Sequence, residues 1–98
     1  MSHPAHPGEA LVRAVELLAA GAWQQAHEIV QKAESPLAAW LHGIVHTLEG
    51  DLDNARYWYR KADRVFPGAE AVQQEISRAR TTVSEAMDRA ADTTQSHG

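Results

Sequence analysis

The 98-residue chain carries 44% hydrophobic and 22% charged residues, an ordinary globular mix, and a chain of this size hides only about two-thirds of the surface its unfolded form exposes, which argues against a large enzyme with a deep enclosed cleft. Zero Cys excludes disulfides, Cys-based zinc sites and thiol nucleophiles. Nine basic against thirteen acidic residues give a net charge of −4, so no nucleic-acid partner is expected. The lack of a long apolar run or a leader-like segment makes a membrane partner unexpected and fits a cytoplasmic address.

Residues 1–8, with two Pro and two His and no periodicity, read as a flexible tail. From Glu9 to Ala20 apolar residues recur at Leu11, Val12, Val15, Leu17 and Leu18, and Gly21 stops the run. Trp23, Ala26, Ile29, Val30 and Ala33 continue at the three–four spacing of a second helix. Ser35-Pro36 starts a third, because the hydroxyl can accept an orphan N–H and Pro fits the first turn. Leu37 to Glu49 completes it, and Gly50 supplies the left-handed residue that ends it. Asp51 or Asp53 caps a fourth helix expected to run to Phe66, where Pro67-Gly68 terminates it. The last helix, within 68–91, has a narrow stripe of Val72, Ile76, Ala79, Val83, Ala86, Met87 and Ala90. Residues 92–98 are small and polar and read as a second flexible tail. No segment alternates like a strand. The expected fold is all-α, with about five helices: two antiparallel hairpins, 9–34 and 36–67, and a C-terminal capping helix.

Gly21, Ala26 and Ala33 recur as Gly50, Ala55 and Ala62, each 29 residues on. In a helical hairpin the Gly ends the first helix and the Ala pair lets the second approach it closely. With Gly43, Ala55, Tyr59, Ala62 and Pro67 in register, residues 36–67 resemble the tetratricopeptide repeat, whose signature is W-x2-L-G-x2-Y, A-x3-F and P, while Ala39, His42 and His46 depart from it where it has Trp, Leu and Tyr. Residues 9–34 are a degenerate copy, with Val30 at the aromatic position and no closing Pro. The resemblance implies a protein-interaction or scaffold module whose last helix covers an exposed end. It also implies a concave groove on the side of Leu37, Trp40, Ile44 and Leu48, where a short peptide or another protein would bind. Homodimerisation through the last helix's stripe is a further expectation.

The block Trp40-x-His42-x3-His46-x2-Glu49-Gly50-Asp51-x2-Asn54-Ala55-x-Tyr57-Trp58 resembles a family of small helical bacterial and fungal proteins that carries W-x-H-x3-H-x2-E-G-D-x2-N-A-x-Y-W. That family has no assigned activity, so the match marks a place and supplies no chemistry.

His42, His46 and Glu49, at i, i+4 and i+7, share a helical face within about 60° of arc. This makes them candidate zinc ligands, with Asp51 as a fourth ligand or an orienting group. His27 lies on the second helix, where it could face the same groove. The preferred reading is a polar network, with the rings bonded to Asp51, Asn54 or Tyr59 and no cofactor required. A divalent metal such as zinc is the alternative, with hydrolysis its extreme form. Catalysis with His46 as general base would need a nucleophile, and Ser35, Thr47 and Ser77 have no triad-like context. No catalytic residue is therefore assigned.

Arg56, Arg60 and Arg64 step by four and could clamp a carboxylate or phosphate. The segment 35–67 balances four basic against four acidic residues, which favours a solvated face paired through Asp53 and Asp63. Tyr59 and Phe66 are expected in the core, and Trp58 toward Val65. Trp40 is expected either in an exposed partner-binding strip with Leu37, Ile44 and Leu48, or beneath the last helix.

Overall fold

The computed structural model describes residues 7–95 and is all-helical, with no strand among them. The helices are α1 (Pro7–Ala19), α2 (Trp23–Val30), α3 (Pro36–Glu49), α4 (Leu52–Lys61) and α5 (Val72–Gln95), with a short 3₁₀ turn at Ala69–Ala71 before α5. α1 with α2 and α3 with α4 form the two hairpins, and α5 lies across α1 and α3. Two boundaries move outward: α1 begins inside the expected tail, and α5 runs past 91 to Gln95. The flexible tails otherwise fall on residues 1–6 and 96–98, outside the described residues. No helix among the described residues is long and apolar enough to cross a membrane.

Three helices end in the same way. Ala22 N–H donates to the Leu17 carbonyl and Gly21 N–H to that of Leu18, at 2.8 and 3.0 Å. Asp51 and Gly50 repeat the pattern on His46 and Thr47, at 2.9 and 3.1 Å. Arg64 and Asp63 repeat it on Tyr59 and Arg60, both at 2.9 Å. Each pair of bonds satisfies carbonyls left over at the last turn, and each needs a left-handed residue. Gly50 provides it at φ 92° and Asp63 at φ 60°. Asp tolerates that conformation through its short polar side chain, so α4 stops at Lys61 and not at Phe66. Phe66 still packs edge-on against Tyr59, with ring centroids 5.2 Å apart.

The starts follow the sequence signals where a cap exists. Ser35 Oγ accepts the Ala38 N–H at 3.0 Å, with Pro36 in the first turn. Asp51, and not Asp53, caps α4 by accepting the Asn54 N–H at 3.3 Å and its Nδ2 at 2.8 Å. Both bonds hold the Asp51 carboxyl below the usual carboxylate range. α2, eight residues long, begins after Ala22 with no side-chain cap.

α3 is the centre of the core. Every residue from Ala38 to Val45 is buried, and Thr47 with them. Leu11, Val15 and Leu18 of α1, Val30 of α2, Tyr59 of α4, and Ile76 and Val83 of α5 close around it. The expected close-approach residues Ala26 and Ala55 are fully buried and Ala62 nearly so, while Ala33 is half-buried.

The partner-binding strip is corrected by this packing. Trp40 is 1% exposed and Ile44 0%, with Leu37 and Leu48 half-buried against the core. α5 covers this side: its Glu75 Oε1 accepts the Trp40 Nε1–H at 3.0 Å. Ile76, Ala79 and Val83 are buried inside the chain, so this part of the stripe expected to serve as a dimer seam packs within the chain, while Val72, Ala86 and Met87 are half-buried. A two-pronged pair of Arg80 with Glu16 ties α5 to α1 at the surface.

Gly43, in mid-helix, has a packing reason. A Cβ there would sit 2.5 Å from Tyr59 Cδ1 and 3.3 Å from the Ala55 carbonyl. The missing side chain lets the Tyr59 ring lie on the α3 backbone and reach Glu75 Oε1 with its hydroxyl, at 2.7 Å. Helix propensity alone favours Gly43→Ala by about 1 kcal/mol. The overlap with Tyr59 reverses the sign, and urea denaturation of Gly43→Ala is expected to show a net loss of about 1–3 kcal/mol. A gain in stability would mean that the phenol ring does not lie against α3.

Candidate metal centre at the seam of α2 and α3

His42 and His46 stand one turn apart on α3, as their spacing requires, with ring centroids 5.0 Å apart and planes within 20°. His27 enters from the second turn of α2, edge-on to both, at 4.8 Å from His42 and 5.4 Å from His46. The Nε2 atoms of His27 and His42 are 3.1 Å apart. One ligand nitrogen from each of the three rings lies within 4.8 Å of the other two.

The two α3 rings are held from outside the seam. Trp58 of α4 stacks flat on His42, at 3.8 Å between centroids and 7° between planes. The expectation that Trp58 faces Val65 is therefore corrected, and Val65 is 90% exposed. His46 Nδ1 is 2.7 Å from Glu49 Oε1. A carboxylate there takes the Nδ1–H and fixes the tautomer that presents Nε2 as a lone pair. Glu49, expected as a ligand on the His face, thus stands behind His46 in the position of an orienting group.

None of the other predicted polar residues bonds an imidazole. Asp51 lies within 4.8 Å of the ligand atoms of His46 and Glu49, but both its oxygens are engaged by Asn54. Asn54 is part of that cap and is exposed. Tyr59, expected to bond an imidazole, points to the opposite side of α3, where Glu75 Oε1 accepts its hydroxyl beside the Trp40 indole. Burial, and then Glu75, push the Tyr59 phenol well above its ordinary range. Glu75 is 7% exposed. Its signal in the sequence is a carboxyl four residues before Ala79, on the apolar side of the last helix.

His42 is 6% exposed. Burial, then the neighbouring His27 and His46, hold its pKa down at about 4 against an ordinary 6.5. At neutral pH it is an uncharged imidazole, the form a metal ion takes without displacing a proton. The unfolded chain protonates this ring near 6.5 and the folded chain only near 4, so the folded state binds fewer protons between those values. Stability is therefore full above about pH 6.5 and falls as the pH drops toward 4, by up to about 3 kcal/mol. Melting curves of chelator-treated protein from pH 7.5 to 4 are expected to show this fall, and the difference from His42→Gln isolates it from the carboxylates. Parallel curves for the two proteins would contradict the depressed imidazole.

No protein-family model, no curated protein and no solved structure matches the chain, so the seam is read from its own geometry.

Proposed function

We propose that this chain is a small helical metal-binding protein that holds one divalent transition ion, such as zinc, through His27, His42 and His46. The observation that carries the reading is the convergence of three imidazoles from two helices, with Nε2 of His27 and His42 at 3.1 Å. Two nitrogens bound at about 2.0–2.1 Å to a tetrahedral ion lie about 3.3 Å apart. A hydrogen bond between neutral His27 and His42 would account for that one contact. It gives no role to the third ring or to the carboxyl group set behind it. Three nitrogens leave one position of a tetrahedral ion for water or an incoming ligand.

The scaffold role implied by the repeat resemblance is the second reading, on a changed surface. With the α3 strip under α5, one exposed apolar side chain that a protein partner could meet is Tyr57 on α4, 47% exposed beside Lys61.

Titration of chelator-stripped protein with zinc, cobalt and nickel tests the metal reading by calorimetry and melting temperature. One ion per chain is expected, with a stabilisation of about 2.7 kcal/mol when free metal is at a hundred times Kd. His46→Ala and His27→Gln are expected to abolish the isotherm, and Glu49→Gln to weaken it about 10–100-fold. No heat and no melting shift with any of the three ions would leave the seam as a polar network alone.

A further inference from the structure

Arg64 is expected from sequence on the outer stripe of the fourth helix, but α4 ends at Lys61 and Arg64 turns away from that stripe. Arg56 pairs with Asp53 at 3.3 Å. Arg64 instead lays its guanidinium on the buried Trp40 ring, 3.4 Å from the centroid. The Trp40 indole is itself pinned by its N–H to Glu75. A stacked guanidinium keeps its in-plane N–H groups available to an oxyanion, and its orientation is fixed before anything binds.

Two cavities meet at this stack. One, of about 370 Å³, is lined by Trp40, Arg64, Ser77, Arg78, Thr81 and Thr82. The other, of about 240 Å³, shares Trp40, Arg64 and Thr82 and adds the apolar Pro36, Leu37 and Ala62. Neither Arg64 nor Arg78 forms an ion pair with a carboxylate among the described residues. Thr82 Oγ1 donates to the Arg78 carbonyl, which keeps the first turn of this wall in place. The lining thus combines two arginines and the hydroxyl residues Ser77, Thr81 and Thr82 with the apolar Pro36, Leu37 and Ala62, Trp40 and Arg64 being common to both cavities.

We propose that this double cavity binds a small organic phosphate, its phosphoryl group between Arg64 and Arg78 and its apolar group against Pro36, Leu37 and Ala62. Two positive charges match a phosphate monoester, which carries about −1.5 to −2 at pH 7, and exceed what a single carboxylate neutralises. The guanidinium forks and the hydroxyls also offer more donors than a carboxylate has lone pairs to fill. The site lies on the α5 side of α3, apart from the imidazoles, and stands or falls independently of the metal reading.

Calorimetry at low ionic strength with phenyl phosphate, inorganic phosphate and benzoate tests the proposal on the whole chelator-treated chain. Phenyl phosphate is expected to bind at least about tenfold more tightly than either inorganic phosphate or benzoate. Arg78→Gln, an exposed change that leaves the Trp40 stack intact, and Arg64→Gln are each expected to weaken it at least about tenfold. Arg80→Gln, whose partner is Glu16, and His46→Ala are expected to leave it unchanged. No binding of phenyl phosphate up to about 10 mM, or equal binding by wild type and Arg78→Gln, would overturn the site. Benzoate binding as tightly as phenyl phosphate would overturn the assignment to phosphate.

Discussion

Because α3 is enclosed by α1, α2, α4 and α5, every polar atom it buries has to be satisfied inside the protein. An apolar helix in that position would pose no such demand. This one carries an indole N–H, two imidazoles and a threonine hydroxyl, and α3 itself and the neighbouring helices together supply their partners. Thr47 Oγ1 donates back to the Gly43 carbonyl at 2.8 Å, the indole reaches Glu75, and the imidazoles meet His27, Trp58 and Glu49. No buried side-chain polar atom among the described residues is left without a partner.

The two sides of α3 meet this demand differently. Toward α5, a single carboxyl oxygen takes both the Trp40 and Tyr59 donors and ties three helices at one point. Removing either donor leaves the other in place, whereas removing Glu75 strands both in the core, so the node hangs on one residue. Toward α2, the partners are rings that can donate or accept according to tautomer, and three of them converge at one place. The first arrangement is a closed structural knot. The second is the kind of arrangement that a Lewis acid completes, and the proposed function follows from that difference.

The fold was legible because each element ends on a residue with a specific backbone reason. Gly21 and Gly50 stop their helices, Ser35 and Asp51 start theirs, and Ala26, Ala55 and Ala62 mark where helices touch. Asp63 hid the end of α4, because a non-glycine residue in the left-handed region is seldom chosen and Phe66 suggested continued helical spacing. The His42–His46 pair was legible from i, i+4 spacing alone. His27 was not, since its side depends on how one hairpin rotates against the other, a property of packing between distant segments. Trp40 was ambiguous for the same reason: its surroundings depend on where a helix more than thirty residues later lies down. Glu75 was not singled out, because the two donors it serves come from segments far away in the sequence.

The helix that brings His27 is also the one least able to stand alone. α2 has eight residues, no side-chain cap at its start, and buries only Ala26 and Val30 fully. Segments with so few anchors open at far lower free energy than the rest of a domain. Fraying of α2 swings His27 out while α3 stays packed, which turns the seam into a latch hinged on its shortest element. For an ion held between the rings as proposed, entry and exit would then follow the breathing of those two turns and not unfolding of the whole protein.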